Sequence, residues 1–368
     1  MVNSTNILEV NINKIRNNIE ILKNISNKNY YAVVKANAYG LGSVKISKEI
    51  EDIVFGFCVA TLDEAVELRK SGIKKDIIVL GYVLPENYGL LEEYDIITTI
   101  YSLEIARQMQ KLGNKIRAHI KIETGHNRLG FKPEEKSYQE IREINSFNNI
   151  RIEGIFSHLS TADEKDSSYT ELQHEKFENA LNAISDLSKD WIKHLSNDAA
   201  MIAYNFEYDA VRSGISLYGV YPSNYMLEKF DIGLEVAFEM KSRISFIKEI
   251  NKGESVSYGR TFIADKQMKI ATISIGYADG YHRLISNRGH VLINGKKAKI
   301  LGNITMDQMM VDISDIDAKI HNEVVLIGKS GSEVITPEQV ANWAETITYE
   351  IMTSISPRVK RTYIYEEK

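Results

Sequence analysis

The chain has 368 residues and a formal net charge of −5 at pH 7, with 43% hydrophobic and 26% charged residues. This length exceeds one ordinary core, so we expect two domains, and the acidic balance argues against a nucleic-acid partner. The single cysteine, Cys58, excludes a disulfide framework and a thiolate metal site. No apolar run has the length of a signal peptide or a membrane span. We therefore expect a cytoplasmic protein without a metal or a membrane partner.

From about residue 30 to 220 the sequence repeats a short apolar run, a turn and a helical pattern. The runs are "YYAVVKA", "DIVFGFCVA", "DIIVLGY", "DIITTIY", "KIRAHIKIE", "IRIEGIFSH", "WIKHLSN" and "DAVRSGIS". Strands that are apolar throughout and alternate with helices indicate a parallel sheet covered on both sides. Eight such strands predict an α/β fold with a closed (β/α)8 barrel, and we place it over residues 10–232.

The helical patterns between the runs carry capping signals. "TLDEAVELRKSG" and "SLEIARQMQKLG" begin at Thr or Ser and end at Gly. "TLDE" predicts a capping box with Thr61 as the N-cap and Glu64 at the third helical position.

After about residue 230 the pattern changes to period-two alternation, which predicts a mostly-β domain over residues 233–368. Its strands are "EVAFEMKSRISFIKEI", "MKIATISIGYADG", "HVLINGKKAKILGN" and "QMMVDIS", with a hairpin at "INGK". Helical patterning returns near "TPEQVANWAE". The opening "NILEVNI" reads as a strand, and we expect residues 1–9 to pair with the second domain.

Polar residues follow the apolar runs at the end where such barrels carry their active sites. Lys35 ends the first run, and two readings are open: a lysine whose stem covers apolar surface, or a catalytic amine. Five strands place polar and mostly cationic groups at this rim: Lys35, Asn37, Tyr39, Lys121, Arg128, His158, Ser196, Asn197, Asp198 and Arg212. Such a set predicts an anionic ligand.

The loops after the seventh and eighth strands, "SNDAAM" and "SGISLYG", are where barrels tend to hold a phosphate. Gly214 would let the backbone approach it closely. A phosphate there and a lysine on the same rim suit pyridoxal phosphate chemistry, but a sugar phosphate would fit equally well. The residues alone therefore predict a barrel enzyme with a phosphorylated ligand and a nucleophilic lysine.

The motif "VVKANAYGLG" resembles the lysine signature of the alanine racemases, the fold-type III pyridoxal phosphate enzymes. "TGHNRLG", "FSHLSTADE", "RSGISLYG", "VSYGRTF", "IGYADGY", "MDQMMV" and "YEIMTSISPR" follow in the family's order and cover essentially the whole chain. The resemblance implies a pyridoxal 5′-phosphate cofactor and interconversion of L- and D-alanine, which supplies D-alanine for peptidoglycan. It also implies a homodimer with shared active sites.

The resemblance implies two acid/base groups on opposite faces of the substrate. Lys35 resembles the lysine that binds the cofactor covalently, and Tyr258 resembles the opposing tyrosine contributed by the other subunit. His158 and Arg212 look like the surrounding network, with Arg212 facing the pyridine nitrogen. An arginine there keeps the nitrogen unprotonated, which favours reprotonation over decarboxylation.

The other roles come from the same resemblance. Arg128 looks like the arginine near the cofactor's phenolic oxygen and the substrate carboxylate, and Met306 of the partner would offer its backbone amide to that carboxylate. Lys121 matches a lysine that is carbamylated in several members. The residues that resemble the phosphate-binding set are Tyr39, Asn197, Gly214, Ile215 and Tyr349, and Asp198 stands at a further position of that set. Those that resemble the gate to the active site are Asp163, Tyr277 and Arg283.

Two positions depart from the family's pattern. Asn127 stands where the family has Gly, and Asn is the residue other than Gly best able to adopt positive φ, so we expect the turn to survive. Asp198 stands where the family has Ser, and a carboxylate beside a phosphate is repulsive. We expect Asp198 to turn away as a helix N-cap and Asp198→Ser to tighten cofactor binding.

Three functions remain open at this point. The first is an alanine racemase. The second is a same-fold racemase acting on serine or a basic amino acid, or a same-fold decarboxylase. The third is a non-catalytic pyridoxal phosphate carrier, which has neither a second domain nor a counterpart of Tyr258. The context of Tyr349 suggests a small pocket and favours alanine.

Overall fold

The computed structural model describes residues 4–365. Its contacts divide them into two compact units. The barrel unit comprises residues 15–38 and 43–235, and the β unit comprises residues 4–14, 39–42 and 236–365. Residues 1–3 and 366–368, which fall within the predicted pairing segment and the predicted second domain, lie outside the described residues.

The barrel unit is built on an eight-stranded parallel sheet in the order β8-β7-β6-β5-β4-β3-β2-β9. Its strands are β2 (Asn29–Val33), β3 (Gly56–Val59), β4 (Asp76–Val79), β5 (Ile97–Ile100), β6 (Ile116–Lys121), β7 (Ile150–Phe156), β8 (Ile192–His194) and β9 (Ala210–Ser213). The Asp209 and Arg212 N–H groups donate to the Lys193 and Ser196 carbonyls, at 3.0 Å each, and bring the two edges together. The predicted eight-stranded barrel is confirmed, with one strand overlapping each predicted run.

Helices alternate with these strands because apolar residues recur at helical spacing between the runs. They are α1 (Ile12–Ser26), α2 (Ser43–Ile50), α3 (Leu62–Lys70), α4 (Tyr88–Glu93), α5 (Leu103–Leu112), α6 (Glu135–Asn145), α7 (Ser168–Ala183), α8 (Asp198–Ala203) and α9 (Asn224–Lys229). The capping box at Thr61 and Glu64 is present at the start of α3. Ser102 caps α5, which ends at the left-handed Gly113.

The β unit contains a nine-stranded sheet in the order β18-β17-β14-β15-β16-β13-β10-β1-β19. Its strands are β1 (Ile7–Asn11), β10 (Phe238–Ile250), β13 (Met268–Ile273), β14 (His290–Ile293), β15 (Lys296–Leu301), β16 (Met309–Asp312), β17 (Glu323–Ser330), β18 (Glu333–Ile335) and β19 (Lys360–Ile364), with a separate pair β11 (Ser255–Val256) and β12 (Phe262–Ile263). Two helices, α10 (Pro337–Trp343) and α11 (Thr348–Thr353), complete it.

The opening strand β1 pairs with β10 in the antiparallel sense and with β19 in the parallel sense. The predicted hairpin joins β14 and β15 through Asn294 and Gly295, which both have positive φ as a two-residue turn requires. Within residues 4–365, no helix combines the length and the apolar character that crossing a membrane demands.

Candidate active site

Lys35 follows β2 and precedes a left-handed turn. Ala36, Asn37, Ala38 and Tyr39 have φ between 51° and 54°, a conformation that costs each L-residue roughly 1–2 kcal/mol. Glu64 stabilises the turn by accepting the Ala36 N–H at 2.5 Å, and the Asn37 side chain accepts the Ser43 N–H at 2.9 Å. The turn thus fixes the backbone that carries Lys35.

Cationic side chains cluster at this end of the barrel unit. Burial and the charge of Arg128 lower the pKa of Lys35. The same two causes lower the pKa of Lys121, which is only 4% exposed, to about 8. Burial, Arg212 and Arg128 lower the pKa of His158 well below its ordinary value, so His158 is neutral at pH 7. The region therefore attracts an anion and favours neutral amine groups.

Arg212, on β9, is 4% exposed and held by four hydrogen bonds from its two terminal nitrogens. Nη1 donates to Nδ1 and to the carbonyl of His194 at 2.6 and 2.9 Å. Nη2 donates to the carbonyls of Ser157 and Leu195 at 2.7 and 3.1 Å. Burial lowers the pKa of Arg212 to about 10, so it remains a cation at pH 7. No hydrogen bond among residues 4–365 uses its Nε, which stays free to donate.

The two buried histidines behind Arg212 have fixed tautomers. Arginine can only donate, so His194 Nδ1 is an acceptor, and its Nε2 must carry the proton that bonds His119 Nδ1 at 2.9 Å. Burial and Arg212 lower the pKa of His194 well below its ordinary value, and burial and Arg117 lower the pKa of His119 to about 3. Both rings are thus neutral, and His194 fixes the orientation of the Arg212 guanidinium.

Sequence reasoning gave no role to His119, His194 or Glu64 at the site. For the histidines, the available signal was a titratable residue inside an apolar run, "AHI" or "KHL", which must be paired when buried.

The loop after β8 differs from the expectation for Asp198. Asn197, not Asp198, is the N-cap of α8, since its side chain accepts the Ala200 N–H at 3.0 Å. The prediction that Asp198 turns away as an N-cap is therefore wrong. Its carboxylate instead points to the loop after β9, where it accepts hydrogen bonds from the Ser213 hydroxyl at 2.5 Å and from the Gly214 N–H at 2.9 Å. Asp198 finds these donors because its position, one residue into the helix, directs its side chain to β9.

The loop after β6 keeps the turn expected at the Asn127 departure. Asn127 adopts φ of 56°, as the sequence predicts. Glu123 holds the turn by accepting the Gly125 N–H at 2.6 Å and the Arg128 N–H at 3.1 Å. The Arg128 side chain is exposed.

The β unit carries the remaining predicted residues. The rings of Tyr39 and Tyr349 lie 6.0 Å apart. Tyr258 is 73% exposed and stands in a loop where Ser257, Gly259 and Arg260 all have positive φ. Asn303 Nδ2 donates to the Tyr258 carbonyl at 2.8 Å and fixes this loop.

Two segments that hold further predicted residues also meet in the β unit. The Tyr277 N–H donates to the Thr305 carbonyl at 3.1 Å, and the Ala278 N–H donates to the Met306 carbonyl at 2.9 Å. Tyr277, Arg283 and Met306 have exposed side chains. Asp163 belongs to the barrel unit, where burial raises its pKa.

The barrel residues fit a phosphorylated aldehyde. A partly desolvated lysine suits covalent attachment of an aldehyde, and a fixed arginine suits a ring nitrogen that accepts a hydrogen bond. The loop of residues 213–216 already holds one oxyanion, the Asp198 carboxylate, through backbone N–H and hydroxyl donors. Among the described residues, no group of three or more His, Cys, Asp or Glu could hold a metal ion.

Comparison with known proteins covers nearly the whole chain. The model of the alanine racemase N-terminal domain matches residues 10–222, and that of the C-terminal domain matches residues 237–363. Alanine racemase of Halothermothrix orenii is 42% identical over 364 residues, which are 97% of this chain and 94% of that protein.

Solved structures of alanine racemases are also similar to this chain over nearly its whole length. Alanine racemase of Clostridium difficile 630 in complex with cycloserine has a TM-score of 0.91 and 37% identity, covering 100% of this chain and 98% of that one. The Bacillus anthracis alanine racemase with bound L-Ala-P has a TM-score of 0.95 and 33% identity, covering 100% and 97%. The predicted fold and family are confirmed, and the chain belongs to the alanine racemases, amino-acid isomerases that depend on pyridoxal phosphate.

Proposed function

We propose that this alanine racemase interconverts L- and D-alanine with two bases, Lys35 of one subunit and Tyr258 of the partner. The observation that carries the proposal is Lys35 itself, held after β2 by the left-handed turn and made less basic by burial and Arg128. Racemisation needs one group to remove the Cα proton and another to deliver a proton to the opposite face. Lys35 and Tyr258 are our assignment for these two groups.

Pyridoxal phosphate, when bound, withdraws electrons from the substrate and makes the Cα–H bond more acidic. Lys35 takes or gives the proton on one face of Cα, because its lowered pKa leaves more of the amine neutral near pH 7. Tyr258 acts on the other face, and Asn303 fixes the loop that presents it. Arg212 would hold the ring nitrogen through a donated hydrogen bond without giving up its proton, and neutral His158 would lie beside it in the same network.

The other assignments are also proposals. Tyr39, Tyr349, Gly214 and Ile215 bind the cofactor phosphate, with Asn197 and Asp198 beside it. Arg128 and the partner's Met306 bind the substrate carboxylate, the first by its charge and the second by its backbone amide. Asp163, Tyr277 and Arg283 form the gate to the active site.

Carbamylation of Lys121 fits its environment. A neutral amine reacts with carbon dioxide, and the pKa of about 8 leaves roughly a tenth of Lys121 neutral at pH 7. The resulting carbamate would be an anion among Arg128 and Arg212, where it would orient Arg128. 13C NMR of the folded protein after incubation with 13C-bicarbonate should detect the carbamate carbon, and its absence in Lys121→Ala would identify the site.

The proposal requires a homodimer, since Tyr258 acts on the partner's substrate. Lys35→Ala and Tyr258→Phe should each be inactive alone. Mixed and reassociated, half of the dimers are hybrids with one intact site, so about a quarter of the wild-type activity should return. Recovery of no activity, with hybrid dimers verified by differential tags, would mean that the two bases belong to one chain.

Alanine is the proposed substrate, and serine the main alternative. The chain's relatives bind cycloserine and L-Ala-P, both of alanine-like size. Exchange of the α-hydrogen of L- and D-alanine in deuterated water tests the reaction, with L-serine as the comparison. A higher kcat/KM for serine would favour the alternative, and exchange without formation of the other enantiomer would contradict racemisation.

We further propose that the product D-alanine serves peptidoglycan synthesis, and that residues 10–232 form the pyridoxal phosphate-binding domain and residues 233–368 the second domain. The cytoplasmic location expected from the sequence stays a prediction.

A further inference from the structure

The Asp198 carboxylate uses two of the backbone donors, the N–H groups of Gly214 and Ile215, that the proposed function gives to the cofactor phosphate. Ser213 Oγ donates to Oδ1 at 2.5 Å, and the Gly214 N–H donates to Oδ2 at 2.9 Å. The N–H groups of Ile215 and Ser216 also stabilise this carboxylate. Asp198 is only 6% exposed, so water contributes little. A phosphate that approaches this loop therefore meets a buried anion that already occupies the donors.

No cation compensates the Asp198 charge. Among residues 4–365 no Lys, Arg or His forms an ion pair with it. The titratable group that faces it is Tyr30 on β2; burial and Asp198 hold the pKa of Tyr30 well above its ordinary value, so Tyr30 is a neutral phenol. Burial raises the pKa of Asp198, and the Ser213 hydroxyl and the loop N–H groups offset part of that rise. The carboxylate thus depends on dipoles alone.

We propose that Asp198 couples binding of the cofactor phosphate to the uptake of one proton. The ionised carboxylate holds the 213–216 loop in the cofactor-free protein, and the neutral carboxylic acid faces the bound phosphate. One proton moves from solvent to one oxygen of Asp198, and no other bond is formed or broken. The acid can then donate its O–H to a phosphate oxygen, as a serine hydroxyl would. This inference rests on the proposed function, because it takes the loop as the phosphate site.

The direction of the pH effect follows. A nearby phosphate dianion disfavours ionisation, so the pKa of Asp198 is higher in the complex than in the free protein. Between these two pKa values, binding takes up a proton and the Kd rises about tenfold per pH unit. Below both values the carboxyl is protonated in either state, and this dependence disappears. Cofactor affinity should thus weaken as pH increases.

The test uses pyridoxine 5′-phosphate, which carries the phosphate but no aldehyde, so that Lys35 chemistry does not enter the equilibrium. Its Kd for the full-length protein, freed of cofactor, is measured by calorimetry from pH 6 to pH 9 for wild type, Asp198→Ser and Asp198→Asn. At pH 8 we expect both variants to bind at least about tenfold more tightly than wild type, with a smaller difference at pH 6. Equal slopes of log Kd against pH in all three proteins would overturn the inference.

Proton uptake provides a second readout that needs no change of affinity. Titrations in two buffers of different ionisation enthalpy give the number of protons taken up per phosphate at pH 8, where the free ligand is a dianion. The wild type should take up close to one proton more than Asp198→Asn, because any uptake by Lys35 and Lys121 is common to both proteins. Pyridoxine without phosphate should show no Asp198-dependent slope, and the same slope with pyridoxine would contradict the role of the phosphate.

Failure of this inference and failure of the proposed function give different results. If pyridoxal phosphate forms no lysine-bound absorbance with the wild type, or forms the same band with Lys35→Ala, the proposed function fails. If the band forms and depends on Lys35, but the pH slopes are independent of Asp198, only the coupling is wrong.

Discussion

Replacing Gly154 with Ala should break the contact between His119 and His194 behind Arg212. A Cβ on Gly154 would lie 2.6 Å from Cε1 and Nδ1 of His119 and 2.8 Å from its Nε2. Atoms of this kind pack at roughly 3.5–4.0 Å, so the buried ring must move by about 1 Å. The 2.9 Å hydrogen bond to His194 would then be lost.

The expected loss in the free energy of unfolding on replacing Gly154 with Ala has two parts. Overpacking a buried site costs about 1–3 kcal/mol, and a buried nitrogen without its partner costs about another 1–3 kcal/mol. The free energy of unfolding, measured by urea denaturation, should therefore fall by roughly 2–6 kcal/mol. Gly89→Ala is the matched control, because Gly89 lies in α4 with its nearest neighbour 3.9 Å away from the added Cβ. It should be neutral or stabilising, by up to about 1 kcal/mol.

A double-mutant cycle isolates the contact. In a His119→Ala background the ring is absent, so Gly154→Ala should add less than about 1 kcal/mol to the loss. If Gly154→Ala leaves the free energy of unfolding unchanged, or lowers it equally with and without the His119 ring, the two histidines do not pack against Gly154 behind Arg212.

Asn303→Ala removes the donor that holds the Tyr258 carbonyl, so kcat should fall about tenfold while the exposed loop leaves thermal stability nearly unchanged; an unchanged kcat would refute this role. Glu64→Ala removes the acceptor of the Ala36, Ala60 and Thr61 N–H groups, and the Kd for pyridoxal phosphate should rise roughly tenfold as the left-handed turn loosens. An equal Kd, from spectral titration, would show that the turn holds without Glu64. In buffer free of carbon dioxide, acetylation of Lys121 by acetic anhydride, followed by peptide mass analysis, should rise with pH and level off above about pH 9, since its pKa of about 8 lies below the usual lysine value near ~10.4. A rate that keeps rising through pH 10 would contradict the lowered pKa.

The barrel could be predicted from the sequence because its strands are buried on both faces. β3, for example, is buried at every position, and an uninterrupted apolar run such as "GFCV" is typical of a parallel strand that is covered on both faces. The caps at Thr61 and Ser102 were equally readable, since capping depends on neighbours along the chain. In the β unit, β17 was not predicted, because "EVVLIGKS" has an apolar run without clear alternation, and α11 was missed because six residues give too little periodicity.

The side-chain partners at the site could not be read in the same way. The Asp198 carboxylate bonds donors at Ser213 and Gly214, fifteen and sixteen residues further along the chain. From its neighbours along the chain, Asp198 was predicted to be the N-cap of the helix, but the N-cap is Asn197, one residue earlier. The partnership of Arg212 with His194 likewise depends on β8 and β9 meeting where the sheet closes. Such contacts depend on register and closure, which no short sequence pattern encodes.

The cluster at the barrel end is unfavourable in the absence of an anion. Lys35, Lys121, Arg128 and Arg212 repel one another, and after burial this repulsion is a further cause of the lowered pKa values of Lys35, Lys121 and Arg212. The consecutive left-handed residues after Lys35 add backbone strain to the same region. A bound phosphorylated ligand offsets the repulsion without moving the groups, because His194 and the strand-end carbonyls already fix Arg212. The proposed cofactor site therefore combines charge repulsion with backbone strain, and cofactor binding there should contribute more to the stability of the barrel unit than the hydrogen bonds of the phosphate alone.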